Sequence, residues 1–208
     1  MAKTVVAFDF DGTIIDVSRR DYTVYQELVT GLGGNPLPYC IYWPLRRKRT
    51  NIFEILSESG ITDKSKTEAF LTRRTAMIED ETYLRLDSLI PGVIETIKYN
   101  SPKILPYLVT TRGNKTNLFS QLNALSISDI FKEIIVSEKD KSVYYSQIDN
   151  LSLIVGDTEN DITAAKLIGK SSVAVLSGIR DAEILKEYNP DRIMQSVAYL
   201  NFDIVFNK

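Results

Sequence analysis

The stretch from Val5 to Ile14 constrains this chain more than any other. Val5, Val6, Ala7 and Phe8 form an apolar run without polar alternation, the pattern of a strand buried on both faces. Two acids follow, Asp9 and Asp11, and then Gly12 and Thr13, which break the run. Open α/β sheets build their sites at the carboxyl ends of their strands, and this stretch puts charge there. Period-2 geometry points Asp9 and Asp11 to the same face. Two like charges held that close need a cation or a shared proton.

Beyond Thr13 the spacing turns helical. Val24, Tyr25, Leu28, Val29 and Leu32 form one helix face, stopped by Gly33 and Gly34. Residues 35–44 read as a proline-broken connection. Ile52, Phe53, Ile55 and Leu56 mark a second helix ending near Gly60, and Phe70, Leu71, Met77 and Ile78 a third, with Thr62 or Asp63 as its N-cap. Strand and helix then alternate. Strands are expected at 103–110, 133–137, 151–156, 172–176 and 192–196, although Pro106 weakens the first by removing a ladder donor. This repetition predicts an α/β fold, a parallel sheet with helices on both faces. Its core would be residues 1–16 and 88–208, with an all-helical insert at 17–87 between the first and second strands.

Composition narrows the chemistry. With 208 residues, 44% hydrophobic, the chain can bury a sizeable core. The formal charge of −2 supplies no basic field for nucleic acid. There is no histidine and a single cysteine, which excludes Ser-His-Asp and Cys-His catalysis, an internal disulfide and a cysteine-based zinc centre. No run has the length of a membrane span. The N-terminus enters the acidic strand almost directly, so no signal peptide is expected and a cytoplasmic setting is the default. Oligomeric state is left open.

Four features fall in order at strand ends. They are Asp9-Phe10-Asp11-Gly12-Thr13; Thr110, followed by Thr111; a lysine opening the helix after the third strand, Lys141 or Lys139; and Gly156-Asp157-Thr158-Glu159-Asn160-Asp161. Together they resemble the motifs of the haloacid dehalogenase-like superfamily, of the phosphatase type with a helical cap similar to that of phosphoglycolate phosphatases. Ile90-Pro91-Gly92-Val93 resembles that family's re-entry into its core. The likeness spans nearly the whole chain. Ser142 departs from it, standing where a proline commonly follows the motif lysine.

The resemblance implies a Rossmann-like core, a cap over 17–87 and a magnesium-dependent phosphatase acting on a small phosphorylated molecule. Asp9 would be the nucleophile, forming an aspartyl-phosphate. Asp11 would serve as acid and then base. Thr110 and the lysine would hold the transferring phosphoryl group, with Thr13 and Thr111 as substrate contacts. Asp9, Asp11 through its backbone carbonyl, Asp157 and Asp161 would make up the Mg2+ site, with Asp161 orienting the lysine or a metal-bound water. In the insert, Arg47 and Arg49 lie in a run of aromatics and bases, Tyr39 to Asn51, and would meet the rest of the substrate. A phosphomutase on the same scaffold, or a silent binding protein, are the competing expectations. A dehalogenase is disfavoured by the presence of Asp11.

Overall fold

The computed structural model describes residues 3–137 and 140–202 of the chain. It divides into two compact units, one made of residues up to Asp16 and from Ser88 onward, the other of Val17–Asp87.

The first unit begins with β1 (Thr4–Phe8). A short ladder follows between β2 (Ile15–Asp16) and β3 (Ser88–Leu89), antiparallel at the two points where the chain leaves and rejoins this unit. The α/β alternation runs through α6 (Val93–Asn100), β4 (Ile104–Thr110), α7 (Lys115–Ala124), β5 (Glu133–Val136) and α8 (Lys141–Tyr145). It continues through β6 (Leu151–Gly156), α9 (Glu159–Leu167), β7 (Ser171–Val175), α10 (Ala182–Glu187) and β8 (Arg192–Met194). Helices α1 to α5 belong to the second unit and are described below. Six strands pair in parallel in the order β5-β4-β1-β6-β7-β8.

β1 is central because it is apolar on both faces. Val6, Ala7 and Phe8 are fully buried, with Phe8 opposite Leu108 on one side and Val155 on the other. From β1 the chain steps outward to β4 and β5, then returns to β6 on the far side. The order reverses beside β1, and that is where an open sheet leaves a crevice at its strand ends.

Pro106 sits inside β4 after all. Its carbonyl accepts from Lys132 N at 2.7 Å, whereas the β4–β5 ladder starts only at Tyr107 opposite Glu133. The missing donor therefore lies on the side where β4 has no strand partner yet.

The second unit is helical: α1 (Ser18–Gly31), α2 (Tyr39–Arg47), α3 (Ile52–Glu58), α4 (Lys64–Met77) and α5 (Glu81–Leu84). Asp63 caps α4, its carboxylate accepting from Lys66 N at 3.0 Å. The expectation of a broken connection over residues 35–44 is corrected, because α2 is a helix with Pro44 inside it. Packing outweighs the lost backbone bond here. Tyr42 is fully buried and stacks on Tyr25 with ring centroids 4.0 Å apart, in a cluster with Leu28, Ile55 and Phe70. Among the described residues no helix is long and apolar enough to cross a membrane.

Candidate active site

β1 ends at Phe8, just ahead of both acids. Asp9 N still donates to Val155 O at 2.9 Å, which keeps that residue against β6. The chain then turns tightly: Ile14 N and Ile15 N both donate to Phe10 O. Gly12 sits in this turn at φ +75°, and a Cβ there would strike the carboxylate of Asp157 and the backbone of Gly178. Only glycine meets both demands.

Four predicted residues converge at the strand ends. Lys141 Nζ, on the first residue of α8, donates to Asp9 Oδ1 at 2.6 Å and to Asp161 Oδ1 at 2.9 Å. All of Asp9, Lys141, Asp157 and Asp161 are buried. Of the two lysines the sequence leaves open, Lys141 is the one bonded to Asp9; Lys139 lies outside the described residues. Asp9, Asp157 and Asp161 each place a carboxylate oxygen within 4.8 Å of the others.

This crowding sets the electrostatics. Burial, opposed by Lys141 and reinforced by Asp161, pushes the Asp9 carboxyl up from 3.8 to about 6. Burial and the neighbouring Asp9 push Asp157 well above the usual carboxylate range. Burial alone would lower Lys141, but Asp161 and Asp9 hold its ammonium well above the ordinary lysine value. The cluster has three acids to one base, so it favours a further cation.

The oxygen inventory shows where a cation fits. Asp157 Oδ2 accepts from Ile179 N at 2.7 Å, while the buried Oδ1 has no hydrogen-bond partner among the described residues. A buried carboxylate oxygen left in that state is costly unless something else meets it. Asp161 differs. Its Oδ1 accepts from Lys141 and from Tyr145 at 3.1 Å, and its Oδ2 from Thr158 at 2.9 Å. Asp9 and Asp157 thus suit a hard divalent ion, whereas both oxygens of Asp161, the third acid of the group, already accept hydrogen bonds.

Two loops brace the cluster. After β7, Ser177 Oγ donates to Gly12 O at 2.8 Å. Gly178 lies so close to Asp157 that any Cβ would overlap its carboxylate, and Arg180 forks onto Glu159 at 2.7 and 3.1 Å. After β4, Thr110 is buried at the strand end and Thr111 is exposed. The next residue is one that sequence reasoning missed. Arg112 is buried, grips Asp11 through Nε at 2.8 Å and Nη2 at 2.6 Å, and donates from Nη1 to Gln121 Oε1 at 2.7 Å. Its guanidinium also lies 5.0 Å from the Phe10 ring centroid. Thr13 is fully buried, and its hydroxyl has no partner among the described residues. Arg47 and Arg49 belong to the other unit, Arg47 half-buried and Arg49 exposed.

A buried carboxylate held against an ammonium, inside a cluster of acids at the switch point of a parallel sheet, is an arrangement suited to phosphoryl transfer by an α/β hydrolase. The chain belongs to the haloacid dehalogenase-like hydrolase family, whose model matches residues 6–175. It is a phosphatase-type member, a phosphoric monoester hydrolase. It is 25% identical over 226 residues to a phosphoglycolate phosphatase from Shigella boydii, covering 92% of this chain and 88% of that protein. It is 30% identical over 110 residues to (DL)-glycerol-3-phosphatase 2 from Arabidopsis thaliana, covering 52% of this chain and 45% of that one. The fold superposes on a haloacid dehalogenase-like family hydrolase from Streptococcus pneumoniae with a TM-score of 0.73 at 20% identity, covering 94% and 95% of the two chains.

Proposed function

We propose that the protein is a magnesium-dependent phosphatase of a small phosphomonoester, working through an aspartyl-phosphate on Asp9. The observation that carries this reading is the 2.6 Å contact of Lys141 with Asp9 beside the unpartnered Oδ1 of Asp157. Asp9 attacks phosphorus, the P–O bond to the alcohol breaks, and Asp11, which must first leave the Arg112 fork and take up a proton from solvent, gives that oxygen the proton. Asp11 then takes a proton from water as the water attacks the aspartyl-phosphate. Asp9 is regenerated and inorganic phosphate leaves. Lys141 and Thr110 hold the transferring oxygens, and Asp161 keeps the lysine aimed. Asp9, Asp157 and the backbone carbonyl of Asp11 would hold magnesium, which supplies charge neutralisation for the phosphoryl oxygens.

Residues 17–87 would serve as the cap, with Arg47 and Arg49 meeting the part of the substrate that does not react. Phosphoglycolate and glycerol 3-phosphate, after the names of two relatives, are the first members of the substrate panel to try. Phosphate release across that panel should require magnesium, stop with EDTA, and be lost in Asp9→Asn. Turnover in metal-free buffer, or by Asp9→Asn, would sink the reading.

A further inference from the structure

We propose that Tyr145 is a positioning residue of the phosphoryl-transfer site, its hydroxyl fixing Asp161 and through it the Lys141 ammonium; this rests on the phosphatase reading above. The need for it begins with α8. That helix has five residues, too few to hold itself together by its own hydrogen bonds. Its first residue carries the site's ammonium on a flexible four-carbon stem. Something outside the helix must supply the rigidity.

Tyr145 supplies it. Residues four apart lie on one helix face, so Tyr145 stands on the same side of α8 as Lys141. Its ring is fully buried among Val5, Ala7, Val109 and Ile154 of the sheet, which fixes where the hydroxyl can go. That hydroxyl donates to Asp161 Oδ1 at 3.1 Å, the oxygen that also receives Lys141 Nζ at 2.9 Å. Thr158 takes the other oxygen at 2.9 Å. Asp161 is thereby held at three points, and Lys141 is left one direction in which to reach Asp9. The ring anchors both α8 and Asp161 to the core, so the lysine inherits the stiffness of the sheet. Small misplacements of a positioning charge are expensive in rate.

The test is Tyr145→Phe in the full chain with magnesium present, since phenylalanine keeps the ring and removes only the donor. Trifluoroberyllate mimics a phosphoryl group on a carboxylate, and its binding reads the site without turnover. Its affinity and kcat for p-nitrophenyl phosphate should both fall about tenfold, the scale of one lost hydrogen bond to a charged group. KM should stay within about twofold. In an Asp161→Asn background the same change should cost almost nothing more, because Tyr145 acts through Asp161. A role in packing alone would lower the melting temperature and leave trifluoroberyllate affinity and kcat at wild-type values, which overturns the proposal. Additive losses in the double variant overturn it as well. If the wild type neither binds trifluoroberyllate nor releases phosphate, the phosphatase reading fails and this inference falls with it.

Discussion

Asp9 and Asp11 are two residues apart yet answer to different cations, Lys141 and Arg112. The Arg112 fork takes both oxygens of Asp11, and Gln121 and the Phe10 ring brace the guanidinium. A lysine cannot reproduce a two-point grip of this kind. Arg112→Lys should therefore leave the Asp11 carboxyl poorly placed for proton transfer. The loss should be about 10- to 100-fold in kcat/KM on an alkyl phosphate and only a few-fold on p-nitrophenyl phosphate, whose leaving group needs little protonation. Asp11→Asn should show the same selectivity. Equal losses on both substrates would mean that the pair shapes the fold of the loop instead of serving the acid–base step. The acids and the lysine were legible in the sequence because their ordered placement after successive strands resembles a known set of motifs. Arg112 and Tyr145 were not, since they belong to none of those motifs and their partners lie 101 and 16 residues away. The one local signal for Arg112 is its place directly after the strand-end threonines.

At the scale of elements, the helical unit is tied at Asp21, in the first turn of α1. This buried carboxylate accepts from Arg46 and Tyr42 of α2, each at 3.2 Å, and from Arg74 of α4 at 2.5 Å. Burial alone would raise its carboxyl, but Arg46 and then Arg74 bring it down from 3.8 to about 2. A depressed folded value gives stability that is full above the unfolded value and lost as pH falls toward the folded one. The shift corresponds to about 2 kcal/mol, lost between roughly pH 4 and pH 2. Asp21→Asn strands two arginines and should cost about 3 kcal/mol at neutral pH. In urea titrations of the full chain, the gap between wild type and variant should shrink by most of that 2 kcal/mol between pH 5 and pH 2. A gap that does not change with pH would remove Asp21 as the source. The same knot shows why α2 escaped sequence reading. Its apolar positions are interrupted by Pro44, and the reasons it is helical, the Tyr25 stack and the Asp21 bonds, lie on another helix. The parallel strands were easier to read, being continuous apolar runs.

At the scale of the whole molecule, a net charge of −2 leaves capture of an anionic substrate to local groups. The basic run Arg46-Arg47-Lys48-Arg49 is not one functional patch, since Arg46 is spent on Asp21. Arg49 stands apart through its backbone. It follows the end of α2 at φ +62°, with its N–H bonded to Arg46 O at 3.1 Å and Thr50 N bonded to Leu45 O at 3.0 Å. This is the helix-ending loop in which glycine is favoured, and an arginine there costs about 1 kcal/mol of backbone energy. The proposed contact of Arg49 with the non-reacting part of the substrate can be tested at this position. Arg49→Gly separates the two contributions, because stability and function should move in opposite directions. The variant should gain up to about 1 kcal/mol in urea titrations while losing about 1 to 3 kcal/mol in kcat/KM for the best substrate of the panel. Hydrolysis of p-nitrophenyl phosphate should change far less, since that ester offers Arg49 nothing to hold. Adding Arg47→Ala should deepen the loss on the same substrate. If Arg49→Gly gains stability and hydrolyses every member of the panel as well as the wild type does, the arginine is a solvated side chain on a strained turn, and substrate recognition must be sought elsewhere in residues 17–87.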